Sequence, residues 1–172
     1  MTRAGRVRLT ALEERLGAPV IGLESPRGIA DPALGSVAEV LAMADAVLLL
    51  GKKLDYTLKF GRPPAFASTC EVIHVDPDDL ELARSRNAFG ARLRSALIAD
   101  IFPAIEALIV ASREPQSRGG GWLNEVHQAI AFRPAAWDSG TAGPGRLPPV
   151  QALRPLQQIL YRHPDSILIS DG

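Results

Sequence analysis

The chain has 172 residues, of which 47% are hydrophobic and 22% are charged, and its formal net charge is zero. This size and composition are typical of one well-buried globular domain, or of one domain with the beginning of another. A neutral chain has no long-range field to attract nucleic acid or an anionic membrane, so we predict neither as a partner. The longest apolar runs, near residues 46–50 and 105–111, are too short to span a bilayer.

The cysteine content and the N-terminal sequence bear on the cellular compartment. Cys70 is the only cysteine, which rules out an intrachain disulfide and a cysteine-based zinc cluster. The first six residues do not contain the apolar core of a signal peptide. We therefore predict a cytoplasmic protein in which Cys70 is a small, partly buried side chain.

Helices and strands are predicted to alternate in the first part of the chain. Apolar residues recur at helical spacing over residues 9–16 and 36–43. Residues 18–23 and 46–51 are predicted as short buried strands. The second of these runs is apolar at every position before its final glycine, which is typical of a strand covered on both faces in a parallel sheet.

The same alternation continues beyond the second predicted strand. Residues 71–76 are predicted as a strand and residues 77–84 as a helix. Residues 93–98 are predicted as a further strand, and Asp100 opens an amphipathic helix. Strands and helices that alternate at this spacing indicate βαβ units. The predicted fold class is α/β, a doubly wound parallel sheet with helices on both faces.

The composition changes after Ser112. Residues 113–148 are rich in polar residues and glycine and are interpreted as a linker, which includes a helix over residues 122–131. The glycine triplet at residues 119–121 is assigned to flexible chain. Residues 149–161 are predicted as a helix and residues 166–170 as a last buried strand. Because the chain stops at the tip of this strand and starts with a helix that no strand precedes, we expect both ends to be cut from a longer protein.

Three segments of the chain carry a family resemblance. They are Leu16-Gly17-Ala18-Pro19-Val20 with Arg27-Gly28, residues 44–56 with Phe60-Gly61 and Pro63-Pro64, and residues 72–79 with Asp100-Ile101. In this order and spacing they resemble the central domain of thiamine-diphosphate-dependent enzymes, the group of acetolactate synthase, oxalyl-CoA decarboxylase and 2-hydroxyacyl-CoA lyase. Residues 54–64 are most similar to the oxalyl-CoA decarboxylase and 2-hydroxyacyl-CoA lyase branch.

The resemblance implies a domain organisation. Residues 1–112 would be a central domain of the DHS-like, NAD/FAD-binding type without its first strand, residues 113–148 a linker, and residues 149–172 the beginning of the pyrophosphate-binding domain. In these enzymes the activating glutamate lies in the pyrimidine-binding domain. The Gly-Asp-Gly…Asn motif that holds magnesium and diphosphate lies in the pyrophosphate-binding domain. Neither feature is present in this sequence.

The resemblance therefore implies a fragment with no catalytic residue, inactive alone. Its parent would be a homo-oligomeric thiamine-diphosphate-dependent lyase or transferase that acts on 2-keto acids or 2-hydroxyacyl-CoA. Missing domains or a partner subunit would supply the residues for thiamine diphosphate and Mg²⁺.

The resemblance also implies a nucleotide site, because related central domains are either structural or carry FAD or ADP as a non-reacting group. Ligands of open parallel sheets lie beyond the carboxyl ends of the strands. By resemblance, Lys53 would meet phosphate, Asp76 ribose, and Asp100 with Ile101 the adenosine edge. The residues alone leave another interpretation open, in which Asp76 and Asp100 cap helices and Lys53 is a solvated charge.

The remaining polar and aromatic candidates favour structural roles. His74, His127 and His163 lack metal-ligand spacing, so no metal site is predicted. Trp122 and Trp137 are predicted to pack against another domain.

Two other functions remain as alternatives to the fragment. One is a free-standing regulatory module that binds ADP or FAD. The other is a small NAD-dependent enzyme such as a deacylase, whose glycine-rich loop and catalytic histidine context this sequence lacks.

Overall fold

A computed structural model describes residues 3–112, 120–135, 137, 145 and 147–169. The chain divides into two compact units, Met1–Phe132 and Arg133–Gly172. In chain order, the regular elements described in the first unit are α1 (Arg3–Leu16), α2 (Val37–Met43), β1 (Ala46–Leu50), β2 (Glu71–Asp76), α3 (Asp79–Phe89), β3 (Leu93–Ile98), α4 (Ile101–Ala111) and α5 (Gly120–Ala131). No helix in the described ranges is both long and apolar enough to cross a membrane.

The three strands form one parallel sheet in the order β1-β2-β3. Ala46 pairs with Glu71 at the amino ends of β1 and β2, and Leu50 pairs with Val75 at their carboxyl ends. The pairing of β2 with β3 shifts register between Val72 and Ile73. The predicted α/β class and the open parallel sheet are thus confirmed, and the carboxyl ends of all three strands lie along one edge.

The main core lies on one face of the sheet. Leu49 and Val72 belong to a buried cluster that also includes residues of α2 and α5. The other members of the cluster are Ile29, Val37, Val40, Leu54, Leu58, Ala65, Phe66, Cys70, Phe89, Val126 and Ala129. Leu12, Val75 and Ile105 are buried outside this cluster, and α1 packs against α4. Cys70, predicted as a small, partly buried side chain, is fully buried in this core.

Helix α5 is part of the first unit. It packs against α2, and the Ser36 amide donates a 2.9 Å hydrogen bond to the Ala129 carbonyl. Trp122 is half-buried and packs against the main core of its own unit. Gly120 and Gly121 begin this helix and are not flexible chain, because the apolar face that follows them is buried on α2, while Gly119 of the same triplet lies outside the described residues.

Residues 18–23 do not form the predicted strand. Pro19 has no amide hydrogen to donate to a sheet. The amide of Val20 is already used, because it donates a 2.8 Å hydrogen bond to Oε2 of Glu13 in α1. The segment is therefore an irregular connection held by α1.

The second unit contains helix α6 (Pro149–Arg162), which confirms the helix predicted over residues 149–161. The strand predicted over residues 166–170 is wrong for residues 166–169, which have no regular structure, and Ser170 lies outside the described residues. Ile167 is 88% exposed and Ile169 is 89% exposed. An apolar run forms a buried parallel strand only where neighbouring strands pair with it, and no strand is described in this unit.

Candidate functional site

Gly51 and Ile101 meet at the carboxyl edge of the sheet. Gly51 follows β1 with φ of 59°, and its amide donates a 2.9 Å hydrogen bond to the Val75 carbonyl of β2. A Cβ atom at Gly51 would lie 2.7 Å from Cγ1 of Ile101, which opens α4. The structure therefore brings the end of β1 and the start of α4 together, and this contact requires glycine.

Lys53 lies at the same edge, beside Glu81 of α3. Its Nζ atom is 3.8 Å from Oε1 of Glu81, and Nη1 of Arg84 is 2.7 Å from the same oxygen. The Glu81 side chain is 4% exposed, whereas those of Lys53 and Arg84 are 65% and 59% exposed. Two surface cations thus share one buried carboxylate.

Asp76 ends β2 and holds the turn into α3. Its Oδ1 atom accepts a 2.8 Å hydrogen bond from the amide of Asp78, and the carboxylate is almost fully buried. Asp78 in turn caps α3, since its Oδ1 atom accepts a 2.9 Å hydrogen bond from the Leu80 amide. In this arrangement Asp76 supports the turn, and Asp78 caps the helix in place of the Asp76 cap that the alternative interpretation expects.

His74 precedes Asp76 by two residues in β2, on the same face of the sheet, and is fully buried. Its Nδ1 atom is 2.7 Å from Oγ of Ser85, whereas Nε2 is 3.7 Å from Oδ2 of Asp76, which is too far for a hydrogen bond. Burial lowers the pKa of His74, although the charges of Asp76 and Glu81 oppose this effect. The prediction of a structural histidine agrees with its place inside the sheet.

Two atoms of this group lack a partner. Within the described part of the chain, Nε2 of His74 and Oε2 of Glu81 are buried without a hydrogen bond. We refer to His74, Asp76, Glu81 and Ser85 as the buried polar cluster. Native proteins contain few such unsatisfied atoms, so the cluster is a candidate functional feature.

Asp100 lies at the carboxyl end of β3 and is exposed. It occupies the N-cap position of α4, but its side chain accepts no capping hydrogen bond. The carboxylate of Asp100 therefore remains available to a ligand, next to the half-buried side chain of Ile101. Of the four predicted site residues, Lys53 and Asp100 are exposed, whereas Asp76 is buried.

A strained turn follows Lys53 in the chain. Lys59 and Phe60 both have positive φ, 51° and 54°, which is uncommon for residues other than glycine. Tyr56 and Phe60 of this turn are more than half exposed. The turn lies within residues 54–64, the stretch that carries part of the family resemblance, and it presents two aromatic rings to solvent.

A polar cleft of about 270 Å³ lies elsewhere in the first unit, and Arg6, Thr10, Val20, Glu13 and His127 contribute to its walls. Oε1 of Glu13 is 3.0 Å from Nε2 of His127. The other carboxylate oxygen of Glu13 accepts the Val20 amide. Since both carboxylate oxygens are used, Glu13 of α1 contacts both α5 and the irregular segment that contains Val20.

Sequence reasoning missed Glu81, Arg84 and Ser85 as parts of the candidate site. A glutamate and an arginine three residues apart are ordinary on an exposed helix face, so neither stands out. The signal that could have found them is the spacing of Glu81 and Ser85, which are four residues apart and therefore share one face of α3.

The residues present do not fit the metal that the family resemblance implies. In the ranges that the structure describes, no group of three His, Cys, Asp or Glu side chains could hold a metal ion. Lys53, Asp100 and Ile101 place a cation, a carboxylate and an apolar side chain after the carboxyl ends of β1 and β3. Comparison with known protein families found no family model that matches the chain.

Proposed function

We propose that this chain is the nucleotide-binding-type central domain of a thiamine-diphosphate-dependent enzyme, and that it is inactive alone. We further propose that it binds an adenine nucleotide, ADP or FAD, across the carboxyl ends of its strands. The observation that carries the proposal is the contact of Gly51 with Ile101 beyond the ends of the parallel strands, with the exposed Lys53 two residues after Gly51. Open parallel sheets bind their ligands at this edge.

Lys53 is the residue that we assign to phosphate. Its ammonium group is largely exposed and lies 3.8 Å from Glu81, which is long for an ion pair. Gly51, two residues earlier, is itself exposed. A phosphate group can therefore reach the cation from solvent.

Asp100 and Ile101 are assigned to the adenosine edge. Ile101 offers an apolar surface, and the free carboxylate of Asp100 can accept a hydrogen bond from a hydroxyl or amino group of adenosine. The ribose contact that the resemblance implies for Asp76 is less well supported, because its carboxylate is buried and one oxygen holds the α3 turn. We therefore propose that Asp76 acts as a positioning residue.

The doubly wound arrangement belongs to the same proposal. His74 and Val75 are consecutive in β2 and so point to opposite faces of the sheet. His74 contacts Ser85 of α3, while Leu12 and Ile105 provide buried apolar side chains of α1 and α4 outside the main core. These observations support helices on both faces.

The proposed parent is a cytoplasmic homo-oligomer in which other domains bind thiamine diphosphate and Mg²⁺. The support is the order of the resembling segments, two of which include β1 and β2. The test is the genomic reading frame on both sides of this sequence. A downstream frame with Gly-Asp-Gly…Asn would support the proposal, whereas flanking stop codons without such a frame would favour a free-standing regulatory module.

Calorimetric titration with ADP and with FAD tests nucleotide binding directly. We expect Lys53→Gln to weaken binding roughly tenfold, because one charge-assisted contact to phosphate is lost. The matched control is Arg94→Gln, since Arg94 pairs with Glu71 at the amino edge of the sheet. No heat with either nucleotide, or equal weakening by both variants, would contradict the site.

A further inference from the structure

We propose that Glu81 is an internal counter-ion which a ligand phosphate displaces from Lys53 and Arg84, and that this displacement is coupled to proton uptake by His74. The inference rests on the proposed nucleotide site. It adds Arg84 as a second phosphate-binding residue and gives the site a dependence on pH.

The two cations, Lys53 and Arg84, lie beside the same carboxylate oxygen. Nη1 of Arg84 and Nζ of Lys53 lie 2.7 Å and 3.8 Å from the same oxygen of Glu81. Both cations are carried on long, exposed side chains, so they can turn toward a ligand without movement of the backbone. A phosphate group carries more charge and more acceptor oxygens than a carboxylate, which makes it the stronger partner for both cations.

The negative charge of the Glu81 carboxylate remains after the two cations have turned away. Glu81 is buried, and within the described residues its Oε2 atom has no hydrogen bond. If Lys53 and Arg84 turn to a phosphate, the carboxylate loses its two cations while it remains in the protein interior. An uncompensated buried charge is costly, so the site favours any change that restores neutrality.

His74 is the group that restores neutrality. Its Nε2 atom is buried without a hydrogen bond and lies 3.7 Å from Oδ2 of Asp76. The charged groups that act on it are Asp76 on its own strand and Glu81 on α3, with Lys53 and Arg84 beyond Glu81. When those two cations leave, the negative charge that His74 senses increases, and a proton on the imidazole becomes favourable.

The hydroxyl group of Ser85 allows this protonation without the loss of a contact. In the neutral ring, Nδ1 accepts the hydroxyl hydrogen while Nε2 carries a hydrogen toward Asp76. In the imidazolium both nitrogens donate, and the hydroxyl oxygen 2.7 Å from Nδ1 becomes the acceptor. Burial lowers the pKa of His74 in the free protein, which favours the neutral ring before the ligand binds.

The test is calorimetric titration of the full chain with ADP in buffers of different ionisation enthalpy near about pH 7. We expect net proton uptake by the wild-type chain. The ADP phosphate itself would release protons when a cationic site binds it, so uptake must come from the protein. This measurement needs no variant to fold.

Two variants and one control complete the test, each first checked for folding by thermal denaturation. Glu81→Gln should abolish the uptake and tighten ADP binding roughly tenfold near about pH 8, where the internal counter-ion competes most. Arg84→Ala should weaken binding roughly tenfold. Arg86→Ala removes a cation of the same helix that pairs with Asp79, and it should leave binding unchanged.

The outcomes separate this inference from the function on which it rests. ADP binding without proton uptake, together with unchanged affinity in Glu81→Gln, overturns the counter-ion mechanism and leaves the nucleotide site standing. Equal weakening by Arg84→Ala and Arg86→Ala overturns the assignment of Arg84. No ADP binding by the wild-type chain overturns both proposals.

Discussion

At the scale of single residues, Gly28 and Gly90 separate two reasons why a position requires glycine. Both have positive φ, 56° and 54°. A Cβ atom at Gly28 would lie 2.1 Å from the carbonyl oxygen of Thr57, whereas a Cβ atom at Gly90 would meet nothing within 4 Å. The backbone of the loop before α2 thus lies directly against the turn that follows β1.

This contrast gives a prediction for stability. Gly90→Ala should cost about 2 kcal/mol in the free energy of unfolding, because only the backbone conformation, with φ of 54° and ψ of −125°, opposes the methyl group. Gly28→Ala should cost roughly 3 kcal/mol or more, since the backbone of Thr57 must also move. Urea denaturation of both variants measures the difference. Similar losses for both would show that the contact at Thr57 is loose.

Asp55 is the second residue-scale case. It begins the turn after β1, and its Oδ1 atom accepts a 2.9 Å hydrogen bond from the Thr57 amide and a short one from the Thr57 hydroxyl. Burial alone would raise the pKa of Asp55, but these hydrogen bonds from Thr57 outweigh it and lower the pKa. The charged form therefore stabilises the fold.

We expect Asp55→Ala to lower the free energy of unfolding by about 1 kcal/mol near neutral pH. Since the folded pKa lies below the unfolded value, this contribution is complete above about pH 4 and is lost as the pH falls through the folded pKa. Unfolding curves at about pH 7 and about pH 3 test this sign. A difference from wild type that grows at low pH would contradict it.

At the scale of elements, the apolar patterns predicted most of the first unit. The continuous run before Gly51 became β1, and the spacing of apolar residues placed α2, α4 and α5. The same pattern failed at residues 18–23 and 166–169, because a strand also needs free amides and neighbouring strands, which lie far away in sequence. Glu81 and Ser85 of the buried polar cluster escaped prediction for the same reason, because only the packing of α3 on β2 buries them.

Helix α5 provides the element-scale prediction. Val126 of α5 is 2% exposed in the main core, whereas Val110 of α4 is 82% exposed. Val126→Ala should cost about 2 kcal/mol, because two methyl groups and their contacts are lost. Val110→Ala, the matched control in another helix, should change stability by less than about 0.5 kcal/mol. Equal effects in chemical denaturation would mean that α5 does not pack stably on α2.

At the scale of the whole molecule, the sheet contacts apolar side chains over most of one face and polar side chains near the carboxyl ends of its strands. One face is covered by the main core, in which Leu49 and Val72 take part. Toward the carboxyl edge this apolar layer gives way to the buried polar cluster, which joins β2 to α3 through His74 and Ser85. The stability of the fold is therefore tied to the protonation state of one buried imidazole.

The last prediction follows from this link. Because burial lowers the pKa of His74, the unfolded chain binds a proton before the folded chain does. Stability should be complete above the unfolded histidine pKa of about 6.5 and should fall as the pH drops below it. His74→Gln should reduce this loss between about pH 7 and about pH 5.5, whereas His163→Gln, at an exposed position, should retain it. Denaturant unfolding across this range measures the slope. If His74→Gln kept the wild-type slope, another group would control the acid response, and the buried polar cluster would lose its role as the proton-sensitive link between β2 and α3.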